Sequence, residues 1–265
     1  MSMPAQKIIF RLSALSTVGA CFLSVAPSAS AFTFSGNGDS VTINANDINK
    51  SFEINFGGNV DTKDVNGLSA KATFKFLGFT PVGSGSNTKT EAKFDISLSN
   101  TSSNGITSRT SALGFNVDKA LLGVGGGNNN SGTGNTRSSG LFANDRSGAF
   151  PNQFGNVNVC FTDGNTCQGG SNGGVSTGAS PGVFSPILAF SGNVTSFTLS
   201  NLGVRYQSIN GNNFNGASGT GRGYYQAPPP PPKKVPEPGT MAALGLFAIS
   251  AFGLSKKSKK LVLQN

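Results

Sequence analysis

Cysteine is the residue type with the most specific chemistry in this sequence, and Cys160 and Cys167 stand close together. Their spacing differs from the Cys-x-x-Cys pattern of redox pairs, and the sequence has no His to complete a metal site with them. If Asp163-Gly164 makes a two-residue hairpin turn, the two cysteines face each other at a Cα separation of about 5.5 Å, which a disulfide can span. We expect a disulfide, with a redox pair or a metal site as the alternative.

Groups that could catalyse a reaction are few. Without His there is neither a conventional catalytic triad nor an imidazole base. Two carboxylates could in principle cleave a glycoside. The candidates, however, fall on the polar faces of predicted strands: Glu53, Glu91 and Asp95. Cross-strand pairing with lysines explains them better, and the lysines concerned are Lys71, Lys75 and Lys93. We therefore predict neither an enzyme nor a cofactor.

Other candidate binding loops are explained by turn chemistry. The stretches 61–66 and 163–165 contain oxygen ligands, but neither matches a calcium loop, so no metal site is predicted. The glycine runs near 123–127 lack the Lys-Ser/Thr ending of a phosphate loop. The whole stretch 123–140 is so polar and glycine-rich that we predict a mobile surface loop.

The elements that must position these residues are strands. Apolar and polar residues alternate with a period of two in 51–56, 71–76 and 91–99. Further candidate strands are 41–43, 106–117, 157–161, 183–190 and 197–206, the last with a bulge expected near Asn201. We therefore predict an all-β fold, a single antiparallel β-sandwich domain over residues 32–226 with a Phe-rich interior.

The N-terminal segment, residues 1–31, has the organisation of an export signal. It has a basic start and a mostly apolar core, and Ala29 and Ala31 supply the small-x-small pattern that signal peptidase cleaves after Sec export. The mature chain is then expected to begin at Phe32. The alternative is a lipoprotein, because Val18-Gly-Ala-Cys21 is a passable lipoprotein cleavage box and would make Cys21 the lipidated N-terminus.

The C-terminal part consists of a proline-rich spacer at 227–234 and a segment at 235–265 with an apolar run. A helix over 239–255 would be about 25 Å long, slightly short of the about 30 Å hydrocarbon core, and we predict that it spans the membrane. Lysines after it should hold the C-terminus inside and leave the body outside. These membrane-retention residues are Lys256, Lys257, Lys259 and Lys260.

The formal net charge of +9 does not indicate a nucleic-acid partner. Residues 32–226 carry twelve Lys or Arg against ten Asp or Glu, so the body is nearly neutral. Most of the basic charge belongs to the two ends of the chain. The electrostatic argument for nucleic-acid binding is therefore lost.

A short motif precedes the apolar run: Val235, Pro236, Glu237 and Pro238. Together with the predicted helix and the lysines, it resembles the PEP-CTERM sorting signal of exosortase substrates. The resemblance covers only residues 235–265. It implies a transient inner-membrane intermediate, removal of the tail by an exosortase-type membrane transpeptidase, and delivery to the cell surface or the extracellular polymer. An ordinary membrane anchor is the alternative.

The body also resembles a known group, the cyanobacterial cistern family of PEP-CTERM proteins. The resemblance rests on Ser111-Ala-Leu-Gly-Phe115, on Val157-Asn-Val-Cys-Phe161 with Cys167-Gln-Gly-Gly170, and on Leu199-Ser-Asn-Leu-Gly-Val-Arg-Tyr206. It implies a destination and no catalytic residues. We expect an exported, non-enzymatic component of the cell surface or extracellular matrix. The alternatives are a secreted carbohydrate-binding module, with extracellular polysaccharide as its partner, and a glycoside-active enzyme.

Overall fold

The structure is a computed structural model that describes residues 32–125 and 132–227. Fifteen strands and two short 3-10 turns, Ala45–Asp47 and Gly85–Asn87, make up its regular elements. The strands in chain order are β1 (Thr33–Phe34), β2 (Ser40–Asn44), β3 (Ser51–Phe56), β4 (Asn59–Val60), β5 (Lys63–Asp64), β6 (Ala70–Val82), β7 (Lys89–Asn100), β8 (Thr107–Val117), β9 (Asn144–Phe150), β10 (Gly155–Thr162), β11 (Val175–Ser176), β12 (Gly182–Phe184), β13 (Ile187–Ser191), β14 (Ser196–Gly211) and β15 (Phe214–Tyr224).

The strands form one curled antiparallel sheet, so the predicted all-β, antiparallel class is confirmed. The main path runs β12-β7-β6-β3-β15-β14-β8-β10-β9, and β2, β4, β11 and β13 pair with members of that path. β15 joins two halves of the sheet: β12, β7, β6 and β3 form one half, and β14, β8, β10 and β9 form the other. It pairs with β14 along most of its length and with β3 near its end. The halves are thus connected through hydrogen bonds as well as through packing.

The main core lies between the two halves and is built mostly of phenylalanine. Phe74 and Phe76 on β6 are completely buried, as their period-two alternation predicts. Ring contacts cross from one half to the other. Phe74 lies 6.4 Å from Phe115 of β8, and Phe94 of β7 lies 6.2 Å from Phe197 of β14, measured between ring centroids. These contacts pack the two halves of the sheet against each other.

The bulge predicted near Asn201 is confirmed. The register of β14 against β8 shifts between Ser200 and Gly203, and Asn201 has a φ of 47°. The predicted strand 183–190 is instead two strands, β12 and β13. The break falls at Ser185-Pro186, because proline has no N–H to continue the ladder.

Six strands escaped sequence reasoning: the two-residue strands β1, β4, β5 and β11, and the longer strands β9 and β15. Glycine alternates along β15, which reads as a loop because glycine is unfavourable in strand interiors. The structure explains these glycines by close approach. A Cβ on Gly221 would lie 2.9 Å from the Tyr206 ring, and one on Gly223 would lie 2.6 Å from the Phe56 ring. Tertiary packing therefore selects glycine where local propensity disfavours it.

Candidate functional site

The predicted disulfide is present. Cys160 on β10 is bonded to Cys167 with an S–S distance of 2.07 Å and a Cα separation of 5.7 Å. The prediction that a two-residue hairpin brings the two cysteines together is wrong. β10 is already paired on both edges, with β8 and β9, and the chain after Thr162 does not return as a strand beside it. Cys167 instead reaches β10 from a loop, residues 163–174.

The disulfide belongs to a small second core. Cys160 and Cys167 are buried together with Ala112, Phe150, Phe154 and Val157. Because side chains alternate along a strand, Cys160 lies on the face opposite Val159 and Phe161, which belong to the main core. The loop 163–174 therefore covers the outer face of the sheet, and the disulfide holds it there.

Two arginines of the sheet bind the same loop through backbone carbonyls. Arg205, 7% exposed, donates from Nε to the Gln168 carbonyl (3.2 Å) and from Nη1 to the Gly219 carbonyl (2.8 Å). Burial lowers the Arg205 pKa to about 10. Arg109 donates to Gln207 Oε1 (2.9 Å) and to four successive loop carbonyls, those of Gly170, Ser171, Asn172 and Gly173. Burial lowers the Arg109 pKa, and the charge of Asp163 opposes that shift.

A surface cleft of about 510 Å³ lies beside the hairpin of β4 and β5. Its polar lining residues are Asn59, Asp64, Asn66 and Arg222. Tyr224 supplies an aromatic ring that is 47% exposed. The Arg222 guanidinium is engaged elsewhere, because it donates to Asn201 Oδ1 at 2.8 Å and to the Phe154 carbonyl at 3.0 Å. An exposed ring beside amide and carboxylate groups can stack on a sugar face and hydrogen-bond its hydroxyls. We take this cleft as the candidate binding site.

Backbone geometry shapes the cleft. Asp61 and Thr62 have φ values of 47° and 67° and make the two-residue turn of the β4–β5 hairpin, in agreement with the turn expected from sequence.

Tyr206 is fully buried, and its hydroxyl donates to the carbonyls of Phe56 and Gly57, each at 3.4 Å. Burial raises the Tyr206 pKa well above its ordinary value, and Tyr224 adds to the shift.

Glu53 and Glu91, two of the acidic residues considered for glycoside cleavage, lie too far apart to form a catalytic pair. Glu53 makes the expected cross-strand ion pair with Lys71 at 2.9 Å, with both side chains exposed. Glu53 and Glu91 lie opposite Thr73 and Thr80 of β6 respectively. Seven residues of extended strand span about 23 Å, whereas glycosidases need their two carboxyl groups roughly 5–9.5 Å apart.

Two expectations were wrong around Glu91: the exposure of its side chain and the mobility of the loop 123–140. Glu91 was expected on a solvated strand face, but it is 2% exposed. The covering segment is part of the expected mobile loop 123–140, whose described part packs against the sheet through bridges from Arg137 to Ile187 and from Gly140 to Phe184. Main-chain pairing holds this segment, and apolar patterning does not reveal such pairing. Asp95, the third candidate, accepts a hydrogen bond of 2.7 Å from Ser185 Oγ.

The described ranges contain no group of three or more His, Cys, Asp or Glu residues placed to hold a metal ion. Within those ranges no helix is long and apolar enough to cross a membrane. The predicted cleavage residues Ala29 and Ala31 lie outside the described residues. So do the sorting motif at 235–238, the predicted helix at 239–255 and the lysines after it.

Sequence reasoning missed Arg205, which binds the loop 163–174, and Arg137, which pairs with Glu91. Arg205 interrupts an apolar run in a predicted strand, and that interruption is a usable signal for a buried, satisfied cation. Arg137 lies in a polar stretch and gives no such signal.

The geometry of the described residues defines a class: an antiparallel β domain with a disulfide-anchored surface loop and a polar cleft that contains an aromatic ring. Comparisons with known protein families, with characterised proteins and with solved structures found no match to this chain.

Proposed function

We propose that this chain is an exported protein, sorted through a C-terminal PEP-CTERM signal, whose β-sandwich body is a non-enzymatic component of the cell surface or extracellular matrix. The observation that carries the proposal is the buried Cys160–Cys167 disulfide. Disulfides form and persist in oxidising surroundings outside the cytoplasm, so the disulfide supports export independently of the signal-peptide pattern.

The anchored loop suits a protein that must last outside the cell. The disulfide, Arg109 and Arg205 each tie the loop 163–174 to the sheet. A loop held at several points opens less often to proteases than a loop held only at its ends. This durability supports a structural role.

Sorting is tested at the Pro-Glu-Pro triplet. Replacing Pro236, Glu237 and Pro238 by alanine should leave the protein full-length in the inner membrane, whereas the unaltered chain loses its C-terminal segment and reaches the surface. A matched control replaces Pro230, Pro231 and Pro232 by alanine, which changes three spacer residues and should leave processing intact. Intact mass and fractionation read both results. Normal release of the triplet variant would refute the sorting proposal and favour a plain anchor.

A second function is favoured by the cleft near Tyr224: binding of extracellular polysaccharide. Aromatic stacking supplies contact area, and hydrogen bonds from the neighbouring polar groups orient the bound sugar. A glycan array should show saturable binding by the mature protein and its loss in Tyr224→Ala. Val183→Ala is the control, because Val183 is also exposed on a strand, at 56%, and does not line the cleft. Equal binding by both variants would exclude this cleft.

A further inference from the structure

Phe32 is fixed in the core at the start of the described chain. Its side chain is 4% exposed, and its ring centroid lies 4.7 Å from that of Phe52 and 6.5 Å from that of Phe34. This packing leaves the backbone nitrogen of Phe32 little freedom. The nitrogen donates to Asp47 Oδ1 at 3.0 Å.

Asp47 is a buried carboxylate with few charged neighbours. It is 1% exposed, and its Oδ2 accepts from the backbone N–H of Asn44 at 2.9 Å, as part of the cap of the 3-10 turn. The cation paired with it among the described residues is Lys50, whose Nζ lies 3.9 Å from Oδ1. Neutral N–H groups and one distant ammonium compensate a buried negative charge less well than a cation in direct contact.

The backbone at Phe32 gives a second, independent observation. Phe32 has a φ of 58°, in the left-handed region that bulky side chains avoid because Cβ crowds the backbone. The angle φ is defined by the carbonyl carbon of the preceding residue. If the bond to Ala31 is cut, this strain disappears, because no preceding carbonyl remains.

We propose that Asp47 is the binding site for the α-ammonium group of Phe32 after the Ala31–Phe32 bond has been hydrolysed. The proposal rests on the export proposed above. A signal peptidase adds water across the peptide bond: Ala31 leaves with the new carboxylate, and the Phe32 nitrogen takes up a proton to become an ammonium. The hydrogen bond of 3.0 Å then becomes a salt bridge, so removal of the leader stabilises the fold.

The physical argument favours the cut form because the carboxylate is buried in both forms. Its desolvation is therefore not an added cost when the ammonium arrives. A charge-assisted hydrogen bond replaces a neutral one at an existing distance, and the strained φ is lost. Only the partial dehydration of the ammonium opposes these gains.

The test compares one chain before and after cleavage. Phe32–Asn265 is produced behind a tag that a site-specific protease removes immediately before Phe32, in detergent if the tail requires it. Removing the tag should raise Tm by about 4 °C in the wild type. In Asp47→Asn the rise should shrink to the part that comes from losing the strained φ of Phe32, because the salt bridge no longer forms. Asp118→Asn is the matched control, because Asp118 also accepts a backbone N–H, that of Thr198 at 2.8 Å, and should keep the full rise.

A chemical readout covers the case in which Asp47→Asn fails to fold. The α-amine of the cut wild-type protein should be acetylated more slowly when folded than when unfolded in urea, whereas exposed lysines should differ little. An equal α-amine rate in both states overturns the proposal, and so does a wild-type Tm that does not rise. An exported protein that begins at lipidated Cys21 also overturns it. The N-terminal residue of the exported protein tests the present proposal, whereas loss of the C-terminal segment tests the sorting proposal. The failure of one proposal can therefore be distinguished from the failure of the other.

Discussion

Arg137 and Glu91 form a bidentate ion pair across the edge of the sheet. Arg137 Nη1 lies 2.7 Å from Glu91 Oε1, and Nη2 lies 3.1 Å from Oε2. The backbone N–H of Gly134 donates to the same Oε1 at 2.7 Å. A carboxylate on β7 is therefore buried by a glycine-rich segment that it also holds in place.

The first prediction is that this ion pair makes stability depend on acidic pH. Burial by itself would raise the Glu91 pKa, but hydrogen bonds from Arg137 and Gly134, with the charges of Arg137 and Lys93, lower it below its ordinary value of 4.5. The stabilisation is therefore present above pH 4.5 and is lost as the pH falls through the lower pKa of the folded state. In Glu91→Gln the unfolding free energy should drop by about 2 kcal/mol at pH 7.

Urea unfolding across the acidic range measures this effect, and the gap between wild type and Glu91→Gln should narrow below pH 4.5. Glu53→Gln is the control, since the Glu53–Lys71 pair is solvent-exposed and its loss should change stability by no more than about 0.5 kcal/mol. A constant gap at every pH would contradict the prediction, because protonation of Glu91 should remove the same charge that Glu91→Gln removes.

Second, the disulfide should stabilise the exported protein. Closing its loop is worth about 2.5 kcal/mol by chain entropy. The double variant Cys160→Ala, Cys167→Ala should therefore unfold at lower urea, and reductant should destabilise the wild type alone. Non-reducing peptide mapping of protein from outside the cell should give one linked pair. Two freely alkylated thiols there would contradict the prediction.

Third, Gly221 should not tolerate a side chain. A Cβ would collide with the Gly57 carbonyl and lie 2.9 Å from the Tyr206 ring. Gly221→Ala should therefore lower the unfolding free energy by about 2 kcal/mol, as overpacking does. Gly57→Ala is the matched control across the same contact, because nothing lies within 4 Å of its Cβ position. Equal effects of the two variants in thermal unfolding would mean that the strand is not tightly apposed.

Fourth, the β4–β5 turn carries removable strain. Thr62 is β-branched and has a φ of 67°, a conformation that glycine adopts without penalty. Thr62→Gly creates the Asp-Gly sequence that two-residue hairpin turns favour, so we expect a gain of about 1 kcal/mol. Thr88→Gly, at a residue with a φ of −61°, should give no gain and serves as the control. Calorimetry compares them, and a loss of stability in Thr62→Gly would contradict a strained turn.

How far sequence reasoning reached differs from element to element. β3, β6 and β7 were predictable because one face of each is buried and a period of two records that directly. Cysteine chemistry alone indicated the disulfide, although it gave the wrong local route, since a hairpin was the simplest geometry for that spacing. β15 could not be predicted, because its glycines are required by close contacts with residues distant in sequence.

The sequence by itself determined which strands alternate, which cysteines pair, and that the body is nearly neutral. These are local or compositional properties, and each residue carries them wherever the chain places it. Only the tertiary structure decided that Glu91 is buried by Arg137, that Arg205 binds loop carbonyls, and that the Phe32 nitrogen meets Asp47. Each of these pairs joins residues far apart in the chain, and their energies depend on burial, which exists only after the sheet has curled.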